Sequence, residues 1–499
     1  MTVRARRFLS LVLLAVAFGA CAALASPAAA GTAFSPPVGE DLSGLSWTEA
    51  FDALHAKISR EYAFTGWKRI AWPALAARYR PAIVKARAAG DEQAYYLTLC
   101  RYVQELRDGH ASTAAFGAEA QQVMDAAMQA RAGGGFGLVD TRLESGVVVA
   151  SWLQPGGPAA RAGVRAGARI VAWGGRPVEA ALTRTSTALS PSQATNGRRD
   201  RERLRFLVRA PVGTVKTLTF RNRGAGAPRT VRLRALDDDF VTLDRTDERS
   251  ILAHGWPEKL VVHEILPGNV GYVRLYLETD LPAEQSGDHT PTLELFRSAM
   301  DDFIDAGVAG LIVDIRGNSG GVDQTSADIL GSFFAPPALY EYSDVFNTVT
   351  GSFEIWRLDP LTAAPIAAGE GIWIEPVARR YAGPVVALVD NGCLSSGEGL
   401  AMGIKRLPNG RVAGFHGTNG SFGMAGDIVL MPLDIEVKWP FGRSLDARKV
   451  VQIDARNGRG GVTPNVRVPM TWTNVLRQSR GRDVVLEYGL RALEEMRAR

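Results

Sequence analysis

Residues 385–398 have the types and order that nucleophilic catalysis requires. The apolar run 385–389 (VVALV) predicts a buried strand, and the polar residues after it predict a sharp turn into a helix. A serine at such a turn has an exposed hydroxyl, and the N–H groups of the new helix stabilise negative charge beside it. Ser395 is therefore a candidate nucleophile. The alternative interpretation is that Ser395 and Glu398 form a capping box that only starts the helix.

A second segment, residues 310–321 (GLIVDIRGNSGG), predicts a buried strand that runs into a glycine-rich turn. Backbone N–H groups in such a turn can point at an anion. A nucleotide phosphate is disfavoured because no Lys-Ser or Lys-Thr pair follows, as a P-loop requires. An oxyanion formed during acyl transfer is the other possibility, with the N–H groups of Gly320, Gly321 and Ser396 as predicted donors.

Together the two segments resemble the C-terminal processing peptidases and the tricorn core, a family of serine peptidases. The resemblance extends to a helical N-terminal region and to residues 461–466 (GVTPNV) near the end. In this family the nucleophile stands three residues before a glutamate, which here gives Ser395 and Glu398. The resemblance implies hydrolysis of peptide bonds through an acyl-enzyme on Ser395, with no metal ion and no cofactor.

The serine needs a base, and the family supplies one in two ways. One branch uses a lysine in a glycine-rich loop after the serine, but the matching loop here, residues 417–423 (GTNGSFG), has none. The tricorn-like branch takes a histidine from the N-terminal region, and residues 106–111 (LRDGHA) resemble its Asp-Gly-His segment. The resemblance therefore implies His110 as the base, a role that suits a side chain titrating near neutral pH. His416 is the alternative base.

Two further residues belong to the predicted site. The acid that orients the base is assigned to Asp454, because the family's glutamate lies in this neighbourhood. Cys393, two residues before the serine, is a possible rival nucleophile. The strand-turn-helix geometry favours its burial against the strand instead.

A PDZ-like domain is predicted between the two halves of this site. Gly135-Phe136-Gly137-Leu138 precedes a strand, and residues 155–164 (PGGPAARAGV) follow, an order that resembles circularly permuted bacterial PDZ domains. A loop of this kind can turn its N–H groups toward a peptide carboxylate while the strand edge pairs with the peptide. Gly135, Phe136, Gly137 and Leu138 are the predicted peptide-binding residues. The alternative is a glycine-rich linker followed by an unrelated strand pair.

The elements that must position these residues fall into four ranges. We expect a signal peptide over 1–30, a helical domain over 45–130, the PDZ-like domain over 133–238 and an α/β peptidase core over 240–499. Alternation of apolar strands with helical segments after residue 239 predicts the α/β class. The family resemblance implies that this core has a crotonase-like fold.

Charge and composition limit the function classes. The 499 residues carry a net charge of +5. Part of this charge comes from residues 1–30, where three arginines precede an apolar run and no acid occurs. This order predicts export to the periplasm or beyond, with an uncleaved anchor or lipidation at Cys21 as alternatives. Residues 198–234 carry twelve Lys and Arg against two acids. Only two aromatic residues, Phe206 and Phe220, lie among them, so the aromatic interleaving typical of nucleic-acid binding is not present.

The predicted function is that of a serine endopeptidase acting on proteins or peptides, with no nucleic-acid partner. Membrane contact is expected only through a retained or lipidated N-terminus. Cys100 and Cys393, the two cysteines beyond the signal segment, are predicted to be buried thiols. The alternative function is a non-catalytic protein that keeps the fold and binds peptides or apolar ligands.

Overall fold

The computed structural model describes residues 34–246, 257–279, 290–359 and 362–498. The predicted signal peptide lies outside these ranges. Within them, no helix combines the length and the apolar character needed to cross a membrane.

The N-terminal region is mostly helical, as its apolar spacing predicts. Its first long helix begins at a capping box in which Ser46 and Glu49 bond each other's backbone. In chain order its elements are β1 (Glu40–Asp41), α1 (Trp47–Glu61), α2 (Thr65–Lys68), α3 (Trp72–Ala89), α4 (Glu92–Gln104), β2 (Ser112–Ala115) and α5 (Ala118–Ala132).

The middle domain is β-rich, as predicted. Its elements are β3 (Gly134–Gly135), β4 (Leu138–Arg142), β5 (Val148–Leu153), α6 (Pro158–Arg161), β6 (Arg169–Trp173), β7 (Arg176–Pro177), α7 (Val178–Arg184), α8 (Asn196–Leu207), β8 (Arg209–Ala210), β9 (Val215–Arg221), β10 (Arg229–Arg234) and β11 (Leu236–Asp237). The main sheet has the order β10-β9-β6-β5-β4, so β4 is an edge strand, and α8 packs beside it. The arginine-rich stretch is thus divided between a helix and several strands.

The remaining elements form the α/β core. They are α9 (Val241–Asp244), β12 (Val261–Leu266), β13 (Val270–Leu275), α10 (Thr292–Asp305), β14 (Gly310–Asp314), α11 (Asp323–Leu330), β15 (Ala338–Asn347), β16 (Ser352–Leu358), β17 (Pro365–Ala368), β18 (Ile372–Ile374), β19 (Val385–Leu388), α12 (Ser396–Arg406), β20 (Gly410–Gly414), β21 (Met424–Met431), a 3₁₀ turn (Pro432–Asp434), β22 (Ile435–Leu445), β23 (Val466–Arg467), α13 (Trp472–Ser479) and α14 (Val484–Arg497).

The core sheet has the order β12-β13-β14-β19-β20-β23 and is parallel from β13 onward. Every residue of β14 and β19 is buried. Both faces of this sheet are covered, one by α10 to α12 and the other by α14. Burial on both faces explains why the two strands read as continuous apolar runs rather than alternating ones. Because β14 and β19 are parallel neighbours, their carboxyl ends lie at the same edge of the sheet.

The helical region does not form a separate bundle. Its helices share one hydrophobic core with β21 and β22, through residues such as Phe51, Leu97 and Trp439. In addition, β2 pairs with β22 and β1 pairs with β21, so the N-terminal region contributes strands to an eight-stranded sheet of the core. This pairing fixes the segment just before β2, which contains His110, against the core.

Candidate active site

Ser395 stands at a strained turn between β19 and α12. Its backbone has φ 57° and ψ −131°, a conformation in the left-handed half of the map that non-glycine residues rarely adopt. The Ser395 side chain makes no capping hydrogen bond, while its N–H donates to the Ser421 carbonyl oxygen at 3.0 Å. The capping-box alternative is therefore wrong for Ser395. The turn holds the serine hydroxyl out of the helix.

The glycine turn after β14 packs directly on this serine. A Cβ atom at Gly320 would lie 2.5 Å from the Cβ of Ser395 and 2.9 Å from the backbone nitrogen of Ser396, so only glycine fits here. Gly320 also has φ +91°. Its N–H, however, donates to Asn318 Oδ1 at 2.7 Å. The prediction that Gly320 donates to an oxyanion is therefore corrected for this conformation, because its amide hydrogen is already used.

Hydrogen bonds tie the glycine turn to the start of α12. The Ser396 hydroxyl lies 2.9 Å from the Gly321 carbonyl oxygen and 2.9 Å from Asp323 Oδ1. Leu394 N–H donates to the Asn318 carbonyl oxygen at 2.9 Å. These bonds fix the N–H groups of Gly321 and Ser396 in the same small region as Ser395. Of the three predicted oxyanion donors, these two keep that assignment.

The segment that carries His110 packs against the loop before β21, which also contacts the serine turn. Gly109 N–H donates to Ser421 Oγ at 2.7 Å, and a Cβ atom at Gly109 would lie 2.8 Å from Leu394 Cδ1. Ser421 thus contacts both the Asp-Gly-His segment and, through its carbonyl oxygen, the amide of Ser395. The structure therefore brings together two segments that are almost three hundred residues apart in the chain.

The His110 ring is buried, and neither ring nitrogen has a hydrogen-bond partner within the described part of the chain. Burial lowers the pKa of His110 to about 4, against the opposing attraction of Asp108 and with smaller contributions from Lys438 and Lys68. The ring is therefore neutral at neutral pH. A neutral imidazole with a free nitrogen can accept a proton, as a general base must.

Asp108 is the carboxylate in ion-pair range of this ring. Its Oδ1 lies 3.8 Å from His110 Nδ1 and accepts the His110 backbone N–H at 3.0 Å. Its Oδ2 accepts from Lys68 Nζ at 2.7 Å and from the Tyr62 hydroxyl at 2.8 Å. Burial alone would raise the pKa of Asp108, but Lys68, His110 and Tyr62 outweigh it and leave that pKa below its usual value. Asp108 is therefore ionised.

Asp454, the acid assigned from the family resemblance, lies on the far side of the same cluster. Its Oδ1 accepts the Phe422 N–H at 3.2 Å, and its Oδ2 has no partner among the described residues. Burial raises the pKa of Asp454 well above its usual value, and the negative charge of Asp108 adds to this effect. Asp454 is therefore near the site, and its carboxyl group holds a proton more tightly than usual.

Glu398 organises the loop next to the serine rather than capping the helix with it. Its carboxyl group accepts the N–H of Gly420 at 2.8 Å and of Ser421 at 2.8 Å, and it also bonds the Thr418 hydroxyl. Burial raises the pKa of Glu398 to about 8, although hydrogen bonds from Thr418 and from the backbones of Ser421, Gly420 and Ser395 oppose that rise. Glu398 thus fixes the position of Ser421, which holds Gly109 and Ser395.

His416, the alternative base, lies elsewhere. It lines a cavity of about 520 Å³ together with Arg201 and Asp390, and Ser395 does not belong to that lining. Burial lowers the pKa of His416 to about 4, and Arg201 adds to the effect. Cys393 is a buried free thiol whose pKa is raised well above its usual value by burial. A thiol that stays protonated is a poor nucleophile.

The four predicted peptide-binding residues are engaged within their own domain. Gly135 pairs with both β8 and β11, and the Phe136 side chain is buried in the domain core. The carbonyl oxygens of Phe136 and Gly137 accept the N–H groups of Ala159 and Gln154. The 520 Å³ cavity is lined instead by the next residues of the edge strand, from Val139 onward, and by α8.

Several residues of the site were missed at the sequence level. The partners of Asp108, which are Tyr62 and Lys68, gave no local signal because they lie in a different turn of the helical region. Asn318 and Ser421 stand inside motifs that were noticed, yet their individual roles depend on contacts between distant segments. Asp108 is the one missed residue that the sequence indicates, because it belongs to the Asp-Gly-His segment.

Comparisons with known proteins agree with this arrangement. The family model described as Peptidase family S41 matches residues 269–468. Among solved structures, mature CPAF aligns with a TM-score of 0.64 at 14% identity, covering 91% of this chain and 98% of that one. Mature CPAF complexed with lactacystin aligns with a TM-score of 0.61 at 13% identity, covering 91% of this chain and 99% of that one.

A photosystem II D1 C-terminal processing protease is also similar, at 20% identity over 88% of this chain and 99% of that one, with a TM-score of 0.38. A search of curated proteins finds no match. The CPAF alignments show a shared fold over nearly the whole described chain. The residues matched by the family model contain both the glycine turn and the serine elbow. Residues 269–468, which hold the nucleophile turn and the glycine turn, are thus similar to peptidase family S41.

Proposed function

We propose that this chain is a serine endopeptidase that cleaves peptide bonds through an acyl-enzyme on Ser395. One observation carries the proposal: the strained serine lies between the Gly320–Gly321 turn and the loop that holds His110. The segments that carry the candidate nucleophile, the candidate oxyanion site and the candidate base thus pack against one another. That is the set of groups which acyl transfer needs.

In the proposed reaction, Ser395 Oγ attacks the carbonyl carbon of the scissile bond and passes its proton to a ring nitrogen of His110. The negative charge on the former carbonyl oxygen is stabilised by the N–H groups of Gly321 and Ser396. Collapse breaks the C–N bond, and His110 returns the proton to the leaving amine. Water then attacks the acyl-enzyme by the same steps in reverse order, which frees the carboxylic acid.

The acid in this scheme is Asp108 rather than Asp454. An ionised carboxylate stabilises the imidazolium that forms on His110, whereas a protonated one does not. Asp108 is ionised and lies in ion-pair range of the ring. The 3.8 Å separation is longer than a hydrogen bond, and such contacts tighten when substrate binds. Lys68 acts as a positioning residue because its ion pair keeps Asp108 charged.

We assign a crotonase-like fold to the core and a PDZ-like fold to the middle domain, on the basis of their strand orders and the family resemblance. In the middle domain the edge strand β4 lies beside α8, which is the arrangement that accepts an extended peptide. The 520 Å³ cavity opens between them and includes Val139, Arg142 and Leu204. We propose that this cavity, rather than residues 135–138, receives the C-terminal residues of a substrate.

Paired substrates test the role of this cavity. A peptide with a free C-terminal carboxylate and the same peptide as an amide are compared for cleavage at one internal bond. We expect a lower KM for the acid and a similar kcat, because the terminus contributes binding away from the bond that breaks. Equal KM values would remove the cavity from substrate recognition.

We propose that the enzyme works outside the cytoplasm, on the basis of the charge and apolar pattern of residues 1–30. Cell fractionation of the tagged full-length chain tests this. Recovery in the cytoplasmic fraction alone would contradict it.

Digestion of a peptide library, read by mass spectrometry, tests the catalytic proposal. The wild-type protein should cut internal bonds, and a folded Ser395→Ala variant should lose at least about 10³-fold of that activity. A binding protein that merely keeps the fold would cut nothing in either form. Cleavage that persists in Ser395→Ala would assign the activity to another residue or to a contaminant.

A further inference from the structure

A second cavity, of about 350 Å³, lies between the helical region and the middle domain. Its floor is apolar and includes Leu97 and Ala132 from the helical region and Trp173 and Leu207 from the middle domain. It shares no lining residue with the 520 Å³ cavity and contains none of the residues placed at the active site. Its volume lies at the lower end of the range for small-molecule sites.

The rim of this cavity carries a concentration of positive charge. Five exposed cationic side chains from different elements surround it, and we call this group the basic cleft: Arg101 on α4, Arg131 on α5, Arg176 on β7, Arg184 on α7 and Lys216 on β9. No acidic residue lines the cavity. At its base, Arg209 is already bound to Asp238 and Thr242.

The five cations of the basic cleft are also unpaired. Across the ranges that the structure describes, none of them forms an ion pair or a side-chain hydrogen bond with another residue. This differs from arginines elsewhere in the chain, such as Arg142 with Glu179 and Asp200, or Arg316 with Asp314 and Asp483. Bringing five like charges around one cavity raises its positive potential, and a bound anion would relieve their mutual repulsion.

The side-chain types favour phosphate as that anion. Four of the five cations are arginines, whose planar guanidinium donates two parallel hydrogen bonds to phosphate oxygens. Because the five cations come from five different elements around the cavity, an anion with several phosphates would contact more of them than a single phosphate.

We propose that the basic cleft binds an anion carrying two or more phosphate groups, either as a free compound or as the headgroup of an anionic lipid. Binding at this cleft is separate from peptide cleavage at Ser395, so either can fail without the other. The sequence pointed to a basic surface in residues 198–234, but four of the five cations come from outside that stretch. Folding assembles the cleft.

Titration calorimetry with inorganic triphosphate at low ionic strength tests the proposal on the full chain. An Arg101→Gln/Arg184→Gln variant should bind at least about tenfold more weakly than the wild type, since two charge-assisted contacts are lost. The matched control is Arg223→Gln/Arg232→Gln. It removes the same charge from exposed arginines of the middle domain that do not line the cleft, and should stay within about twofold of the wild type.

Thermal unfolding shows whether both variants are folded. No triphosphate binding by the wild type would overturn the proposal. Equally weakened binding in the two variants would also overturn it, because the binding would then reflect nonspecific electrostatic attraction. Tighter binding of a poly-glutamate peptide than of triphosphate would also overturn it. Vesicles containing cardiolipin, whose headgroup carries two phosphates, separate the two supporting outcomes, with phosphatidylcholine vesicles as the blank. Vesicle binding by the wild type that is lost in Arg101→Gln/Arg184→Gln indicates a lipid headgroup. Triphosphate binding without vesicle binding indicates a soluble ligand.

Discussion

Asp108 Oδ1 lies 3.8 Å from His110 Nδ1, and the two residues are separated in the chain by one glycine. That glycine is required, because a Cβ atom at position 109 would lie 2.6 Å from Asn419 Oδ1. The short Asp-Gly-His segment therefore supplies both the base and the charged group that acts on it. Its hydrogen bond to Ser421, whose carbonyl oxygen accepts the Ser395 N–H, links the segment to the serine turn.

This relationship predicts that Asp108 matters more than Asp454. Asp108→Asn should lower kcat on the order of 10²–10⁴-fold, because the imidazolium loses its ionised partner. It should also move the acid limb of the pH profile of kcat/KM to lower pH, since Asp108 raises the pKa of His110. Asp454→Asn, measured in parallel, should stay within about tenfold of the wild type.

One control guards against misfolding in that comparison. Asp108→Asn leaves Lys68 buried without its anion, which costs about 3–5 kcal/mol. Adding Lys68→Met removes the unpaired cation, and the double variant should fold while remaining slow. A larger loss in Asp454→Asn than in Asp108→Asn would transfer the acid's role to Asp454.

The two candidate bases, His110 and His416, are predicted to behave differently. His110→Ala should lower kcat at least about 10³-fold, because Ser395 loses its base, whereas His416→Ala should cost less than about tenfold. Steady-state rates on one peptide substrate, with circular dichroism for folding, measure both. Both rings have a pKa lowered to about 4, but His110 is buried whereas His416 is exposed in the 520 Å³ cavity. Comparable losses would show that His110 has no special role in catalysis.

Gly320 is predicted to be needed for space as well as for its backbone conformation. Gly320→Ala would place a Cβ atom 2.5 Å from Ser395 Cβ, so the serine must move and activity should fall at least about 10²-fold. Gly224→Ala is the control, since Gly224 also has positive φ but nothing within 4 Å. Both variants share a backbone strain of about 1 kcal/mol. Unchanged kcat in Gly320→Ala would separate the glycine turn from the site.

Glu278, buried beneath the glycine turn, predicts a pH-dependent stability. Burial raises its pKa to about 8, so the folded state holds a proton that the unfolded state releases above about pH 4.5. The contribution of this proton to the free energy of unfolding is fully present below about pH 4.5 and is lost as pH rises through 8. Between pH 6 and pH 9 the wild type should lose roughly 2 kcal/mol of unfolding free energy through this group.

Glu278→Gln mimics the protonated acid and should remove that loss, which urea unfolding at the two pH values measures. The exposed Glu294 on α10 provides the matched control, and Glu294→Gln should unfold like the wild type at both values. If Glu278→Gln keeps the full decline from pH 6 to pH 9, another group causes it.

Local patterns were enough to predict the elements that carry the nucleophile. These elements are the strands β14 and β19, the helix α10 and the serine turn. The two strands are recognisable because burial on both faces of a parallel sheet leaves a continuous apolar run. The Asp-Gly-His segment was also found, through its resemblance to a known family. These features are encoded within a dozen neighbouring residues.

Contacts between distant segments were not predictable in the same way. The pairing of β2 with β22 unites the helical region with the core, and nothing in either strand names its partner. Two other features depend on burial in the finished fold. One is the hydrogen bond from the Gly320 N–H to the Asn318 side chain, and the other is the opposite direction of the pKa shifts of Asp108 and Asp454. The basic cleft has the same origin.

Mapping a fluorophosphonate adduct by mass spectrometry tests the central claim most directly. A fluorophosphonate reacts with a serine that is activated by a base and an oxyanion site, so the predicted result is one adduct, on Ser395. Cys393→Ala should keep the adduct, and a folded Ser395→Ala variant should lose it. An adduct on a different residue, or undiminished labelling of folded Ser395→Ala, would contradict the assignment of Ser395 as the nucleophile.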